Sequence, residues 1–259
     1  MAALAARGLD ARLVPWEDAA AWDDVPRVLI RSTWNYPEAP DAFIAWAERL
    51  GSRLINPPAI VRWNVHKGYL GQLAADGLDV VPTELVARGD TTPLSEVMRT
   101  AGWSRVVAKP AISVGSMLTR RFSTDDVDDA WFADCLHTRD MLVQPYVASV
   151  DGYGERSLIW IDGEVTHAIR KNPRFHGGSE SVSTTSVDVA ADERAFAHDA
   201  IARAMRLTGA RPSYARVDQA RDDAGQPMLM ELELIEPSLF FRQGPAALAR
   251  LVDVARTAW

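Results

Sequence analysis

The sequence is poor in the residues that build disulfides and metal clusters. Its one cysteine, Cys135, has no partner for an internal disulfide, and its five histidines form no Cys/His pattern with metal-site spacing. No apolar run approaches the roughly 18 residues that a membrane-spanning helix requires. No basic segment followed by a long apolar core indicates a secretory signal. These absences predict a reduced, cytoplasmic setting without a membrane partner, and Cys135 is interpreted as an apolar packing residue.

The sequence also lacks an excess of basic residues and the common nucleotide motifs. The formal net charge is -7, which argues against a general nucleic-acid partner, because such a protein presents a basic field. A local basic cleft for a small anion stays compatible with this charge. Neither a GxGxxG sequence nor a Walker A sequence is present. No local motif supports a Ser-His-Asp or Cys-His nucleophile.

The apolar periodicity predicts an α+β chain that opens with a small α/β lobe. Residues 1–60 contain a strand pattern at 25–31 and a helix pattern at 40–50 that ends at Gly51. An α/β domain usually opens with a strand, and the helix-like residues 1–7 have none before them. The lobe is therefore expected to lack its first strand.

The remaining chain predicts sheets and helices without simple βα alternation. A helix pattern at 64–76 precedes a strand at 105–109. Turn signals at Asp162-Gly163 and at 222–225 each separate two strand patterns and predict β-hairpins. An amphipathic helix is predicted at 191–208, between these hairpins, so the second half is α+β.

The second hairpin carries the strongest functional pattern. Its strands read Arg216-Val217-Asp218 and Glu231-Leu232-Glu233. Residues two apart share one face of a strand, so pairing of these strands would gather one guanidinium and three carboxylates. Close carboxylates repel one another unless a cation lies among them, and Mg²⁺ prefers such oxygen ligands together with phosphate oxygens. The alternative is a solvated hairpin face with alternating charges.

Two lysines before this hairpin are candidates for binding phosphate. Lys109 ends an apolar strand, and the following loop, with Ser113, Gly115 and Ser116, offers backbone N–H groups and hydroxyls. Lys67 lies on the predicted helix. Taken alone, the loop is also typical of a plain connection, and Lys67 is typical of an exposed helix position.

Two further segments have both a functional and a structural interpretation. At 143–147 an apolar strand runs into Pro145, which leaves later backbone groups free to hydrogen-bond an adenine edge. A kinked core strand is the alternative. A basic, glycine-containing loop comes later, suited to close over phosphate or simply to lie on the surface: Arg170, Lys171, Arg174, His176, Gly177 and Gly178.

Taken in order, these elements resemble the ATP-grasp superfamily, in which the nucleotide lies between two α+β subdomains. The resemblance covers about residues 60–245. Gly154-Glu155-Arg156 and Ile161–Glu164 are similar to the glutathione-synthetase-like branch. The following stretches are similar to the family of O-ureido-D-serine cyclo-ligases of D-cycloserine biosynthesis: Arg31–Tyr36, Trp63-Asn64 with Lys67, and Met230–Ser238.

The resemblance implies a set of site residues, with ATP and two Mg²⁺ ions as cofactors. Lys67 and Lys109 would hold the α- and β-phosphates, and Ser113, Gly115 and Ser116 would cover them. Gln144, Tyr146 and Val147 would frame adenine, while Asp218, Glu231 and Glu233 would hold the metal ions. Arg216 would stabilise the transferring phosphoryl group, with Arg156 and Lys171 near the γ-phosphate or the substrate carboxylate. Arg31, Ser32 and Tyr36 would touch an amino-acid substrate.

The resemblance also implies a domain organisation and a homo-oligomer, a homodimer or larger. Residues 1–60 would form the lobe that precedes the ATP-grasp unit, 61–143 the small subdomain and 144–259 the large subdomain with the metal site. Two positions depart from the family pattern. Glu233 stands where the metal pair usually ends in asparagine, and His66 stands where an acid precedes the first lysine.

The expected activity is ATP-dependent ligation of a small amino-acid-like substrate. Phosphorylation supplies a carboxylate with a leaving group, and metal and cation clamps are what phosphoryl transfer needs most. An internal nitrogen would displace phosphate in a cyclo-ligase, and an added amine would do so in an intermolecular peptide or amide ligase. A nucleotide-binding protein without turnover and a kinase with a stable phosphorylated product remain alternatives.

Overall fold

The computed structural model describes residues 1–18, 22–172 and 181–257 and contains two four-stranded antiparallel sheets with helices packed on them. The helices are α1 Ala2–Ala5, α2 Pro40–Leu50, α3 Pro58–Asn64, α4 Tyr69–Ala75, α5 Leu94–Ala101, α6 Asp129–Leu136, α7 Ser149–Gly152, α8 Ala191–Thr208 and α9 Pro245–Thr257. The strands are β1 Glu84–Val86, β2 Arg105–Pro110, β3 Arg120–Ser123, β4 Met141–Pro145, β5 Glu155–Ile161, β6 Glu164–Lys171, β7 Tyr214–Arg221 and β8 Pro227–Glu233. The predicted α+β class is confirmed. Within these ranges, no helix is both long and apolar enough to cross a bilayer.

The first sheet has the strand order β1-β4-β2-β3, with α5 and α6 packed on one face. The alternation of β2 sends Val106 and Ala108 into this core. Cys135 of α6 is buried in the same core, as its interpretation as a packing residue predicts. Val107 and Lys109 consequently point to the opposite face, towards the second sheet.

The second sheet has the strand order β6-β5-β7-β8 and is covered by α8 on one face. Val217 and Leu232 pack there against the small residues Ala197 and Ala200 of α8, as the alternation of the hairpin predicts. The helix ends at Gly209, whose φ of 66° is the left-handed geometry that favours glycine at a C-terminus. Because one face is apolar, the charged side chains of the same strands share the other face.

Both predicted hairpins of the second sheet are confirmed. Ile161 pairs with Glu164 across a turn in which Asp162 and Gly163 have φ values of 46° and 93°, which is why an Asp-Gly sequence closes it. In the other hairpin, β7 pairs with β8 across residues 222–226.

The first 60 residues depart from the predicted α/β lobe. The strand predicted at 25–31 does not form, and the described residues of this region hold only one isolated parallel bridge, between Val28 and Leu54. Side chains supply the cohesion instead, because aromatic rings surround α2. Trp16 packs on Phe43 edge to face with ring centroids 5.3 Å apart, and Tyr36 stacks on Phe43 at 4.9 Å.

The helix predicted at 64–76 is interrupted, which corrects the sequence interpretation. α3 ends at Asn64 and α4 begins at Tyr69. Between them the backbone N–H of Gly68 donates to His66 Nδ1 at 3.0 Å, and that of Lys67 donates to the carbonyl of Ala111 at 2.8 Å. These local and long-range bonds replace helical ones, and the break turns Lys67 inward.

Candidate active site

A cavity of about 610 Å³ lies between the two sheets, next to the N-terminal aromatic region. Most of the predicted site residues line it: Tyr36, Lys67, Lys109, Ser113, Gly115, Ser116, Gln144, Tyr146, Val147, Lys171, Arg216, Glu231 and Glu233. They come from the N-terminal region, the loop after α3, the first sheet with the segments after β2 and β4, and the second sheet. Among the described residues, four cations and four carboxylates line this one space.

The β7–β8 hairpin places its charged residues opposite one another. Arg216 pairs across the strands with Glu233, and Asp218 pairs with Glu231. The guanidinium of Arg216 donates to both carboxylate oxygens of Asp218, with Nη2 at 2.7 Å, and also to Glu233. The predicted gathering of one guanidinium and three carboxylates is therefore confirmed as geometry.

Asp218 lies behind the cavity wall and is not one of its lining residues. It is 1% exposed. Besides Arg216, Ser157 Oγ donates to it at 2.5 Å and Lys171 Nζ at 2.8 Å. Burial acts to raise the pKa of this carboxyl, but Arg216 and Lys171 outweigh burial and hold the pKa well below its ordinary value. Its two oxygens are occupied by protein donors.

Glu231 and Glu233 have different electrostatic surroundings although they are two residues apart. Burial acts to raise the pKa of Glu231, but Lys67 and Lys109 lower it below its ordinary value. Burial raises the pKa of Glu233 to about 7, against the effect of Arg216 and with the help of neighbouring carboxylates. Glu233 thus binds a proton more readily, because burial and, to a lesser extent, the neighbouring carboxylates disfavour its charge.

Lys67 joins the loop after β2 to the second sheet. Its Nζ donates to the carbonyl of Ser113 at 2.9 Å and to Ser113 Oγ at 3.2 Å, and lies 3.3 Å from the Glu231 carboxylate. Lys109 Nζ approaches Glu231 only to 3.9 Å. Burial lowers the pKa of Lys109. The two lysines therefore reach one carboxylate from different elements.

The loop after β2 forms the rim of the cavity. Gly115 and Ser116 are exposed, with φ values of 59° and 61°. Left-handed backbone is unfavourable for a residue with a side chain, so Ser116 is held in a strained conformation. Ser113 is buried beneath the rim, where Lys67 holds it.

The apolar wall of the cavity comes from β2, β4 and β8. Val107, Val147 and Met230 pack with Tyr146 in one cluster. Gln144 faces the cavity and its Nε2 donates to Thr83 Oγ1 at 2.8 Å. The backbone N–H of Tyr146 donates to the carbonyl of Arg105 at 2.9 Å, so this group is not free for an adenine edge, contrary to the simple proline argument.

Some predicted site residues lie elsewhere. Arg156 is on the opposite face of the second sheet from Glu155 and Ser157, 4.3 Å from the centre of the Tyr153 ring, because adjacent residues of a strand point to opposite faces. Arg31 and Ser32 are not among the lining residues. The loop residues Arg174, His176, Gly177 and Gly178 lie outside the described residues.

Two carboxylates of the site were missed by the sequence analysis. Glu155 forms an ion pair with Lys171, and burial raises its pKa. Glu236 follows β8 and also lines the cavity. Both occur inside the motifs quoted above, but placing Glu155 beside Asp218 requires the pairing of β5 with β7, which are not neighbours in sequence.

Comparison with known proteins places the chain in a family. The model of the N-terminal domain of D-cycloserine synthetase DcsG matches residues 1–56. The cycloserine biosynthesis protein DcsG of Streptomyces lavendulae is 34% identical over 251 residues, which cover 90% of this chain and 83% of that protein. The chain belongs to the D-cycloserine synthetase family. The resemblance to this family that the sequence predicts is thereby confirmed.

Solved structures agree with this membership. The crystal structure of D-cycloserine synthetase DcsG matches with a TM-score of 0.89 and 31% identity, over all of this chain and 93% of that one. The ATP-grasp ligase PsnB in complex with minimal precursor, Mg and ADP matches with a TM-score of 0.60 and 18% identity, over 90% and 77% of the two chains. D-alanine–D-alanine ligase of Bacillus anthracis in complex with ATP gives a TM-score of 0.58 and 16% identity, over 78% and 68%.

Membership in the D-cycloserine synthetase family makes the chain an ATP-grasp enzyme and an ATP-dependent ligase. The more distant matches bear on the fold alone, and that fold is the one predicted. Within the described residues, the charged cavity lies between the two sheets of this fold.

Proposed function

We propose that this ligase uses Mg·ATP to phosphorylate the carboxylate of a small amino acid and then closes a ring within the same molecule, with O-ureido-D-serine as substrate. The observation that carries the proposal is the β7–β8 hairpin, which directs Arg216, Glu231 and Glu233 into a cavity that also receives Lys67 and Lys109. Family membership supports the choice of substrate class.

The residues fit Mg·ATP by the chemistry of their donors. Mg²⁺ usually takes one or two carboxylates together with phosphate oxygens, and Glu231 and Glu233 face the cavity. Among the described residues, no three Asp, Glu, His or Cys side chains are grouped closely enough to hold a metal by themselves. The phosphates would therefore complete the coordination, and bound Mg²⁺ would supply charge neutralisation there. The number of ions and the part of Asp218, whose oxygens are occupied, stay predictions.

Each cation has a position consistent with one part of the reaction. Lys109 and Lys67 would bind phosphate groups beneath the rim loop. Gln144, Tyr146 and Val147 would hold the base against the apolar wall. Arg216, fixed by Asp218, would present its guanidinium to the transferring phosphoryl group without first reorganising, which is how electrostatic catalysis is efficient. Lys171, fixed by Asp218 and Glu155, would face the substrate carboxylate.

The ring closure follows from carboxylate activation. Phosphorylation gives an acyl phosphate and ADP, and the substrate nitrogen next to oxygen attacks the acyl carbon while inorganic phosphate leaves. Removal of the carbamoyl group from that nitrogen consumes one water and releases carbon dioxide and ammonia. The cavity would hold the two reacting ends of one substrate molecule in the right orientation. This orientation is the main source of the rate of an intramolecular reaction.

The decisive experiment measures ADP, phosphate and ammonia release from the full chain with Mg·ATP. O-ureido-D-serine as the sole acceptor should give all three in equal amounts, with a cyclic product by mass spectrometry. If ADP is released only when an amine is added, the reaction is intermolecular ligation and not cyclisation. A stable phosphorylated acid without free phosphate would indicate a kinase, and bound ATP without any release would indicate a binding protein.

A further inference from the structure

Glu236 differs from the other carboxylates of the cavity. Among the described residues, four carboxylates line this space. Three of them form ion pairs with lining cations: Glu155 with Lys171, Glu231 with Lys67 and Lys109, and Glu233 with Arg216. Glu236 is half-buried, and the described parts of the chain offer it neither an ion pair nor a side-chain hydrogen bond.

Two of the cations near Glu236, Lys67 and Arg216, are committed to other groups. Lys67 donates to Ser113 and is paired with Glu231. Arg216 is held by Asp218 and Glu233. Arg31, on the N-terminal side, feels the charge of Glu236, which acts to raise the Arg31 pKa, but among the described residues it forms no ion pair with Glu236 and does not line the cavity. Burial and the neighbouring Glu233 raise the pKa of Glu236 to about 8. A carboxylate that is taken out of water without a partner is costly, so the site is built to receive a positive group.

The position of Glu236 assigns it to one end of the cavity. It stands after the end of β8, where Ile235 packs into the N-terminal aromatic region with Tyr36. Tyr36 lines the cavity, and after burial Glu236 is the largest influence that raises its pKa, ahead of Glu233 and Glu231. Glu236 and Tyr36 thus define a polar end beyond the hairpin carboxylates.

Two kinds of cation have to be distinguished. Mg²⁺ usually takes one or two carboxylates together with phosphate oxygens, and the proposed function already assigns Glu231 and Glu233 to it. A primary ammonium has three N–H donors and accepts no hydrogen bond. The carboxylate of Glu236 and the hydroxyls of Tyr36 and Ser238, which line the same space, are acceptors for such a group.

We infer that Glu236 receives the ammonium group of the amino-acid substrate, with Tyr36 and Ser238 beside it. The inference rests on the proposed function, because it places the substrate amine at the N-terminal end and the carboxylate towards Arg216 and Lys171. It makes Glu236 the residue that selects amino acids against acids without an amine. A buried polar group rejects the analogue that cannot pair with it more strongly than an apolar pocket rejects a missing methylene.

The test compares two substrates in two proteins. The substrates are O-ureido-D-serine and 3-(ureidooxy)propanoate, which is the same acid without the amine. The wild type should prefer the amine by roughly 10- to 100-fold in kcat/KM, the range for a hydrogen bond to a charged group. Glu236→Gln should reduce this preference to within about threefold, mainly through KM for the amino substrate, with KM for ATP unchanged.

Controls separate recognition from folding and from metal binding. Glu236→Asp keeps the charge and should retain part of the preference, and Glu164→Gln, an exposed isosteric change in the same sheet, should retain all of it. Full preference in Glu236→Gln overturns the inference. An increased Mg²⁺ requirement in that variant also overturns it, because Glu236 would then be a metal ligand.

Binding keeps the inference testable if the proposed reaction fails. Calorimetric titration of the Mg·ADP-loaded protein with O-ureido-D-serine should give at least tenfold weaker binding in Glu236→Gln than in the wild type. This difference without any ADP release would reject the proposed function and support the inference. Equal binding to both proteins would reject the inference whatever the turnover.

Discussion

Glu231 is the residue in which the two halves of the site meet. It lies on the second sheet, yet its carboxylate is paired with Lys67, from the loop after α3, and with Lys109, from the first sheet. Because these two lysines lower the pKa of Glu231, its carboxylate is ionised at neutral pH. An ionised, cavity-facing carboxylate is what a hard cation needs.

Glu231→Gln should therefore lower kcat for ADP release by at least about a hundredfold while the fold persists, because it removes a charge from the cavity and no core packing. The measurement is steady-state ADP release, with circular dichroism as the check on folding. The exposed variant Glu164→Gln is the matched control and should behave as wild type. Near-normal activity of Glu231→Gln would contradict the metal assignment.

Glu236 gives a prediction about stability and pH. Its pKa in the folded protein, about 8, lies above the ordinary value of 4.5, so ionisation opposes folding. The free energy of unfolding should consequently fall as pH rises from about 4.5 to about 8. Glu236→Gln removes this loss and should be more stable than the unliganded wild type by on the order of 2 kcal/mol above pH 8.

The measurement is thermal unfolding of both proteins without ligands between pH 5 and pH 9. The two melting temperatures should agree near pH 5 and separate as pH rises, by several degrees at pH 9. A constant difference at every pH would mean that folding does not raise the pKa of Glu236. A more stable variant with weaker substrate selection would be the usual exchange of stability for function.

At the scale of elements, the break between α3 and α4 decides how the N-terminal half meets β8. Asn64, at the end of α3, donates to the carbonyl of Leu232 at 2.8 Å and accepts the N–H of Leu234 at 2.8 Å. Tyr69, at the start of α4, accepts the N–H of Leu232 at 2.9 Å. These bonds replace strand partners along the free edge of β8 and fix the position of Lys67 between them.

Asn64→Ala should destabilise the protein by about 2–4 kcal/mol, because it leaves a buried carbonyl and a buried N–H without partners. It should also raise KM for ATP by releasing Lys67. Urea unfolding and ADP-release kinetics measure the two effects. Arg62→Ala, on the same helix as Asn64, removes an exposed ion pair with Glu48 of α2; it is the control and should cost less than about 1 kcal/mol. Equal losses in both variants would contradict the role of Asn64.

At the scale of the whole molecule, the cavity joins two sheets that have separate hydrophobic cores. The core under the first sheet involves α5 and α6, and the core under the second involves α8. A ligand held by Lys109 on one side and by Glu231 on the other binds only when both sheets are in place. Ligand binding should therefore stabilise the complete fold. The homodimer stays a prediction.

Mg·ADP at a hundred times its Kd should raise the free energy of unfolding by about 2.7 kcal/mol. For a chain of this size, that corresponds to an increase in melting temperature of roughly 5–10 °C. Differential scanning fluorimetry with Mg·ADP, with ADP plus a chelator and with Mg²⁺ alone separates the contributions. We expect most of the increase to disappear on chelation, and an unchanged shift would show that the metal carboxylates take no part.

The features of this protein that depend on local periodicity could be predicted from the order of its residues alone. The α+β class, both hairpins, the helix from Ala191 and the shared face of Arg216, Asp218 and Glu231 follow from spacing two or spacing 3.6 together with turn residues. The order of its motifs was enough to indicate the ATP-grasp family.

The other features depend on contacts between segments that are distant in sequence, so they become visible only in the folded chain. Lys67 leaves its predicted helix through a bond to Ala111, and Arg156 is separated from the cavity by the pairing of β5 with β7. The residues of the N-terminal strand pattern find no strand to pair with apart from the single bridge between Val28 and Leu54, and they are held by aromatic side chains instead. Glu236 becomes a candidate only once the fold shows that it faces the cavity and that Lys67 and Arg216 already have other partners.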